Sequence, residues 1–137
     1  MSQYAWGKRS LDRLSTVQPV LAELFNRVIR RPDLPFDLTV LCGHRGKAEQ
    51  DAAVASGASR LRWPNSKHNS IPADAADVAP LVGGVVSWDW AHYRALAPIV
   101  KAEWAAMEAA GLTLGWRLEW GGDWKRFPDG PHWQVVK

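Results

Sequence analysis

The chain has 137 residues, of which 47% are hydrophobic and 23% are charged. This length is typical of one domain with its own hydrophobic core, and the composition excludes a disordered or fibrous protein. The net charge of +3 and the pI of about 9.3 favour an anionic partner, whether nucleic acid or a cell-wall polymer. Because the basic residues form no long run, a dedicated DNA-binding arm is not expected.

The cysteine content and the hydropathy of the chain limit its chemistry and its location. Cys42 is the only cysteine, which excludes an intrachain disulfide and a zinc site built from cysteines. Since Cys42 follows an apolar run, it is predicted to be a buried thiol. No apolar segment follows Met1, and no run approaches the length of a membrane-spanning helix. The sequence therefore predicts a protein made in the cytoplasm, without a secretory signal or stable membrane insertion.

The first half of the chain predicts a helix, a strand and a second helix. Apolar residues recur at three- and four-residue steps over about residues 10–30, which predicts one amphipathic helix ended by Pro32. Residues 36–42 are rich in β-formers and predict a strand. The alanine-rich segment 47–56 predicts a short helix, and Gly57 provides its C-terminal cap.

The second half predicts a long loop followed by a helix and strands. Residues 57–73 contain Gly, Ser, Asn and Pro and predict an irregular loop of a length that is often functional. Ser87 is predicted to cap a helix that reaches about Ala110 and is kinked or divided at Pro98. Short strands are predicted at 75–79, 112–120 and 132–136. The pattern predicts an α+β fold in which helices flank a small antiparallel sheet that forms the floor of the site.

Two separated groups of polar residues carry the candidate chemistry. His68 follows Ser66 and Lys67, and Asp77 lies nine residues beyond it, whereas Asp129 and His132 lie near the C-terminus. Two histidines and a carboxylate can hold one Zn²⁺ and leave a coordination position open for water, whose pKa the metal lowers to about 7. Asp129 is well placed in the sequence to take a proton from that water. The pattern therefore indicates a metallohydrolase.

The residues around these groups resemble a known family. The run from Ser66 to Pro80, SKHNSIPADAADVAP, resembles the first metal motif of the M15 peptidases, which are zinc enzymes of the D-alanyl-D-alanine carboxypeptidase and VanY type. It is most similar to the phage branch of that family, the L-alanyl-D-glutamate endopeptidases or endolysins. The closing run from Trp120 to Trp133 is similar to the second motif, and Gly43-His44-Arg45 with Gln50 is similar to the Gly-Tyr-Arg segment.

The resemblance implies a single zinc peptidase domain over residues 1–137, with the fold shared by hedgehog and DD-peptidase domains. It implies hydrolysis of the L-alanyl-D-glutamate bond in the stem peptide of bacterial peptidoglycan. His68, Asp77 and His132 would bind one Zn²⁺ ion. Asp129 would be the general base, polarising the water and later protonating the leaving amine. Arg45 would hold the substrate carboxylate or the developing oxyanion.

Other residues leave alternatives open. The resemblance implies that Ser66 supports the ligand loop and that Ser66 and Trp133 help to bind the substrate. Asp74 is a rival to Asp77 as a metal ligand. Asp123 is equally suited to orienting a ligand histidine and to stabilising a turn. His44 and His92 are not expected to bind the metal, although His44 stands where the family more often has tyrosine.

Function and context also leave alternatives. A D,D- or L,D-carboxypeptidase or dipeptidase of the same fold, or a non-catalytic peptidoglycan-binding protein, would share most of these motifs. Nucleic acid is not an expected partner, and a monomer is expected. The lack of a recognisable signal is typical of a phage lysis enzyme released through a membrane pore, or of a virion-associated or prophage product that acts on the cell wall.

Overall fold

The computed structural model describes residues 3–137, and within this range the chain forms four α-helices, a five-stranded antiparallel sheet and a 3₁₀ turn. The α+β prediction is confirmed. The helices are α1 (Lys8–Leu14), α2 (Pro19–Ile29), α3 (Lys47–Ala55) and α4 (Trp90–Ala109). The strands are β1 (Asp37–Cys42), β2 (Ala75–Val82), β3 (Val85–Val86), β4 (Arg117–Trp120) and β5 (His132–Val136), and the 3₁₀ turn is Gly121–Asp123.

The order of the strands brings distant parts of the sequence together. The strands lie in the order β1-β2-β5-β4, and β3 forms a short hairpin with β2. In this register Asp77 is opposite His132 on one side and opposite Cys42 on the other. A register shift between Val40 and Cys42 marks a bulge at the end of β1. The sheet thus places three chemically distinctive side chains at one level.

The hydrophobic core lies between α2, α4 and one face of the sheet. The buried face of α2 consists of Val20, Leu21, Leu24, Phe25, Val28 and Ile29. Phe25 packs edge-on against Trp133 of β5, with 6.2 Å between ring centroids. Each fully buried side chain of this size contributes about 1.5–3 kcal/mol relative to exposure. Because side chains alternate along a strand, the core takes Trp133 and Val135, and His132 and Gln134 point to the other face.

The prediction of one helix over residues 10–30 is wrong, because two helices form there. Helix α1 ends at Leu14 and α2 begins at Pro19. Proline lacks an amide hydrogen and disfavours helical geometry in the preceding residue, so it is best tolerated in the first turn of a helix. Between the helices, Val17 forms a bridge with Ala73, and the Gln18 amide donates to the Ala73 carbonyl at 2.8 Å.

Two boundaries in the second half also differ from the prediction. Asp89, not Ser87, caps α4, since its Oδ1 accepts a hydrogen bond from the Ala91 amide at 3.0 Å. Pro98 lies inside α4 without dividing it. The strand predicted from residue 112 begins only at Arg117, because a turn that includes Leu114 with φ of 53° precedes it. Within residues 3–137, no helix combines the length and apolar character that a bilayer crossing requires.

Candidate metal centre and active site

The centre is built on a pair of neighbouring residues in the sheet. Asp77 of β2 and His132 of β5 are directly opposite each other, so their side chains leave the same face. Asp77 Oδ1 lies 3.3 Å from His132 Nδ1. The same oxygen lies 3.3 Å from Nε2 of His68, which comes from the loop between α3 and β2. The structure therefore brings together the three residues predicted as metal ligands.

Hydrogen bonds to neighbouring segments hold the His68 loop in place. The Ser66 hydroxyl accepts from the His68 amide at 3.2 Å, and the Asn69 side chain accepts from the Ser66 amide at 3.0 Å. The Asn69 amide group donates to the Arg45 carbonyl at 3.0 Å, and the Arg45 amide donates to the His68 carbonyl at 2.7 Å. The loop has no regular secondary structure, so these individual hydrogen bonds hold it in place of the backbone pairing that holds a strand in a sheet. Ser66 supports the loop, as the resemblance implies.

Each histidine is oriented through the ring nitrogen that faces away from Asp77. The Gly43 carbonyl, which can only accept, lies 2.7 Å from His68 Nδ1, so the proton is on Nδ1 and Nε2 has a free lone pair. His132 Nε2 lies 2.8 Å from Gln134 Oε1, and Gln134 Nε2 donates to Glu119 at 2.7 Å. Because the Glu119 carboxylate can only accept, the Gln134 amide nitrogen faces Glu119 and the Gln134 oxygen faces His132. The His132 proton is therefore on Nε2, and Nδ1 has a free lone pair. Such outer contacts fix the tautomer of metal-binding histidines.

The free atoms of this centre fit a metal ion. His68 Nε2 and Asp77 Oδ1 are both buried without a hydrogen-bond partner in the described chain. Two acceptor atoms of this kind, 3.3 Å apart, are costly unless a proton or a cation lies between them. Two imidazole nitrogens and one carboxylate oxygen are ligands that suit zinc, and three protein ligands are typical of its catalytic sites.

The charges around Asp77 explain the protonation behaviour of the centre. Burial raises the pKa of Asp77, but the imidazoles of His132 and His68, each 3.3 Å from its Oδ1, outweigh this effect and hold the pKa well below its usual range. Burial lowers the pKa of His68, yet the Asp77 carboxylate and Cys42 raise it above its ordinary value. The carboxylate therefore attracts positive charge into a buried position. A bound divalent cation would supply the same positive charge.

Asp129 lies beside this centre on the loop that leads into β5. One of its oxygens lies within 4.8 Å of ligand atoms of Asp77 and His132. Burial and the charge of Asp77 raise its pKa, which makes its carboxylate a stronger base. The loop passes close to Gly121, whose carbonyl accepts from the Asp129 amide at 2.9 Å. A Cβ on Gly121 would lie 2.5 Å from the Asp129 carbonyl oxygen, so glycine permits this approach.

Cys42 and Gln134 are neighbours of the centre that sequence reasoning missed. Cys42 was predicted to be a buried thiol, but it is half-buried, and its sulfur lies within 4.8 Å of ligand atoms of His68 and Asp77. Its position opposite Asp77 follows from strand register, which the sequence does not reveal. The sequence did contain a signal for Gln134. It lies two positions after His132 in a predicted strand, and residues two apart in a strand lie on the same face.

The centre opens into a cavity of about 530 Å³. The side chains at its base are Arg45, Ser66, His68, Asp77, Asp129 and His132. Arg45 donates through Nη1 to Gln50 at 3.0 Å, and its Nη2 lies 3.7 Å from Asp77 Oδ2. Residues 57–61, Trp124 and residues 126–128 complete the walls. All residues predicted for metal binding and proton transfer therefore face one cavity.

Trp133 is the predicted substrate-binding residue that the structure does not bring to this cavity. It is 1% exposed and stacks on Trp120 in the core, with 5.6 Å between ring centroids. The reason is strand alternation, since His132 already points to the site. Trp124 lines the cavity instead, and its ring centroid lies 5.0 Å from that of His132.

The remaining polar candidates are bound elsewhere. Asp123 pairs with Lys101 at 2.7 Å, so the proposed orientation of a ligand histidine by Asp123 is wrong and that contact belongs to Gln134. Asp74 accepts from the Gln18 side chain at 2.9 Å. His92 Nδ1 lies 2.6 Å from the Ser87 hydroxyl. Neither Asp74 nor His92 is among the residues that line the cavity.

Comparisons with known proteins agree with this arrangement. The sequence profile of a family described as phage L-alanyl-D-glutamate peptidase matches residues 1–134. The chain is 34% identical over 129 residues to the L-alanyl-D-glutamate peptidase of Escherichia phage T5, covering 92% of this chain and 85% of that protein. It is 31% identical over 108 residues to the peptidoglycan L-alanyl-D-glutamate endopeptidase CwlK of Bacillus subtilis, covering 73% and 61%.

A solved structure shows the same fold. The L-Ala D-Glu endopeptidase ChiX of Serratia marcescens matches with a TM-score of 0.75 and 32% identity, over 98% of this chain and 92% of that one. This similarity covers the sheet, the helices and both loops that surround the cavity. Together with the family profile and the curated relatives, it shows that the chain belongs to the family of phage L-alanyl-D-glutamate peptidases.

Proposed function

We propose that residues 1–137 form one zinc-dependent peptidase domain that hydrolyses the L-alanyl-D-glutamate bond in the stem peptide of bacterial peptidoglycan. The peptidase activity and the substrate follow from the family and its named members. The observation that supports the metal centre is the pair of buried, unpartnered atoms, His68 Nε2 and Asp77 Oδ1, beside the free Nδ1 of His132.

In this proposal His68, Asp77 and His132 hold one Zn²⁺ ion. Zinc in such a site supplies Lewis-acid polarisation of the scissile carbonyl and lowers the pKa of water. Gly43 and Gln134 keep both histidines in the tautomer that the metal requires. Asp77 contributes the negative charge that offsets the charge of the cation.

Asp129 is the proposed general base. It takes a proton from the attacking water and later delivers it to the nitrogen of D-glutamate as the C–N bond breaks. Its raised pKa brings its basicity closer to the operating pH, where proton transfer is most effective. Such a group contributes on the order of 10²–10⁴ in rate.

Arg45 is the proposed electrostatic stabiliser of the developing oxyanion. Its guanidinium is held by Gln50 and lies 3.7 Å from Asp77, so its position is determined before substrate arrives. A preorganised positive charge needs no rearrangement at the moment of reaction. Ser66 lines the same cavity and positions the His68 loop.

The proposal extends to partners and location. We propose that the protein acts as a monomer on peptidoglycan, without nucleic acid as a partner, and that it reaches the wall after release from the host cytoplasm or as part of a virion. The pI of about 9.3 supports attraction to an anionic wall. A change in sedimentation with protein concentration would contradict the monomer.

The first test is mass spectrometry of fragments released from purified peptidoglycan, with and without a chelator. We expect fragments with a new amino-terminal D-glutamate, which the chelator abolishes and Zn²⁺ restores. Undiminished release from protein shown by elemental analysis to be metal-free would contradict the zinc centre. Free D-alanine alone would assign the protein as a carboxypeptidase, and protein that sediments with walls without releasing product would be a binding protein.

A matched pair of histidine variants controls for non-specific damage. His132→Ala removes a proposed ligand, so we expect product release to fall to background. His92→Gln changes a histidine that contacts Ser87 outside the cavity, so we expect activity close to that of the unmodified protein. Equal activity in both variants would refute the assignment of His132.

A further inference from the structure

Two arginines of the cavity have no role in the proposed hydrolysis. Arg60 lies on the loop after α3, Arg126 lies on the loop before β5, and both line the cavity that contains the candidate metal centre. Both are exposed. Among residues 3–137, the ion pairs within 4.0 Å include neither of them, and Arg31 and Arg27, by contrast, pair with Glu103. The cavity therefore has a cationic rim whose charge the protein itself does not neutralise.

Arg60 is held in place without the use of its hydrogen-bond donors. Its guanidinium carbon lies 3.3 Å from the centroid of the Phe127 ring, so the cation rests on the ring face. This contact joins the loop after α3 to the loop before β5, and residues of both loops line the cavity. The N–H groups of a guanidinium lie in its own plane, and stacking on a ring leaves them free for an anion.

Phe127 supports the view that this contact is a built feature. The side chain is 59% exposed, which is unusual for a phenylalanine that serves only the core. Its φ of 52° places it in the left-handed region, which a bulky residue rarely adopts. Strained backbone of this kind is concentrated at sites that bind ligands. The chain thus presents an exposed ring that lines the cavity, and the Arg60 guanidinium packs on the face of that ring.

Arg45 is less available for a carboxylate of the substrate. One nitrogen of its guanidinium donates to Gln50, and another lies 3.7 Å from the Asp77 carboxylate. A bidentate carboxylate needs two free parallel donors. Arg60 satisfies that requirement, whereas Arg45 is already engaged on two sides.

The substrate carries an anion next to the scissile bond. In the stem peptide D-glutamate continues the chain through its γ-carboxyl group, so its α-carboxylate stays free on the same carbon as the nitrogen that leaves. In some cell walls this carboxylate is amidated to D-isoglutamine, which removes the charge and changes nothing else. A subsite that recognises the carboxylate would therefore discriminate between two kinds of wall.

We propose that Arg60, stacked on Phe127, forms a carboxylate subsite that binds the α-carboxylate of D-glutamate and makes the enzyme prefer it to D-isoglutamine. The proposal rests on the proposed function, because it concerns the residue that follows the scissile bond. Arg126 contributes positive potential at the rim, and Arg60 makes the specific contact.

The test compares two synthetic peptides that differ only in this group: N-acetyl-L-Ala-γ-D-Glu-L-Lys and its α-amide. For the unmodified protein with Zn²⁺ we expect a kcat/KM about tenfold higher on the acid, since the pair is charge-assisted but partly exposed. In Arg60→Gln we expect the ratio to fall to about one, because the rate on the acid falls far more than the rate on the amide. Phe127→Leu is expected to reduce the ratio partly.

Matched variants separate the subsite from general effects of charge. Arg62→Gln removes an exposed arginine of the same loop that does not line the cavity, and we expect it to retain the full preference. Equal rates on the two peptides, or a preference that survives in Arg60→Gln, would overturn the proposal. A preference lost only in Arg126→Gln would also overturn it and would assign the contact to Arg126.

A binding measurement distinguishes this failure from failure of the proposed function. Titration calorimetry with the product γ-D-Glu-L-Lys requires no turnover. We expect weaker binding to Arg60→Gln than to the unmodified protein, and unchanged binding to Arg62→Gln. If neither synthetic peptide is cleaved but binding still depends on Arg60, the hydrolysis is refuted and the subsite stands. If binding does not depend on Arg60, the subsite is refuted.

Discussion

The sheet and the loops hold the active site by different means. Asp77 and His132 lie on β2 and β5, where pairing of Asp77 with Cys42 on one side and with His132 on the other sets their positions. His68 and Asp129 lie on loops, where individual polar contacts and close glycine packing do the same work. Ladder hydrogen bonds are many and shared, whereas each loop contact is single. We therefore expect the positions of the two proposed ligands in the sheet to tolerate substitution of their neighbours, whereas the positions of His68 and Asp129 depend on a few residues outside the site.

The largest expected effect is on kcat/KM, and it distinguishes Asp129, the proposed base on the loop, from Asp77, a proposed ligand in the sheet. Asp129→Asn removes the proposed base, so we expect kcat/KM on peptidoglycan peptides to fall by about 10²–10⁴, with bound zinc unchanged. Asp77→Asn removes a proposed ligand and its charge, so we expect loss of both activity and metal. Elemental analysis beside kinetics checks the pair. Loss of zinc in Asp129→Asn would show that Asp129 is a ligand as well.

The second prediction perturbs the loop through its packing. In Gly121→Ala the new methyl group would lie 2.5 Å from the Asp129 carbonyl oxygen and 3.0 Å from His132 Cβ. We expect the free energy of unfolding to fall by about 1–3 kcal/mol, which is typical of overpacking, with reduced activity. Denaturant unfolding measures the change. Gly7→Ala, where nothing lies within 4 Å of the new Cβ, is the control. Equal stability of the two variants would contradict the close approach.

The smallest of the three effects concerns support inside the sheet. Gln134→Ala removes the acceptor of His132 Nε2, so we expect zinc affinity to fall by about 10- to 100-fold while the ligands remain. Competition with a chromogenic chelator measures it. Asp123→Asn breaks only the exposed pair with Lys101, and we expect an unchanged affinity. An equal loss in both variants would mean that Gln134 does not orient the histidine.

Local patterns in the sequence predicted much of the fold. Strand β5 and helix α3 were predicted to within a residue because hydrophobic alternation and a glycine cap are local signals. The single helix over residues 10–30 was wrong although Pro19 was visible, since apolar periodicity continues across the break. Of the two effects predicted for Pro98, division of the helix is wrong, because α4 continues through this residue.

The candidate site was predictable in its residue types and less so in its atoms. His68, Asp77, Asp129 and His132 were identified from motifs, and they do meet in one cavity. The prediction that Trp133 binds substrate is wrong. His132 points to the site, and adjacent residues of a strand point to opposite faces, so Trp133 points into the core. The approach of Cys42 to Asp77, the chain from His132 to Glu119, and the contact of Arg60 with Phe127 all join residues far apart in sequence.

The sequence alone therefore indicated the family through the resemblance of its motifs, the residue types of the proposed metal ligands and the order of most of its main elements, because motifs and local periodicity are readable in a linear chain. Only the tertiary structure decided which nitrogen of each histidine is free, which tryptophan faces the cavity and which arginine has unoccupied donors. Those properties depend on strand register and on contacts between loops. Such contacts are set by packing of the whole chain and leave no periodic trace in it.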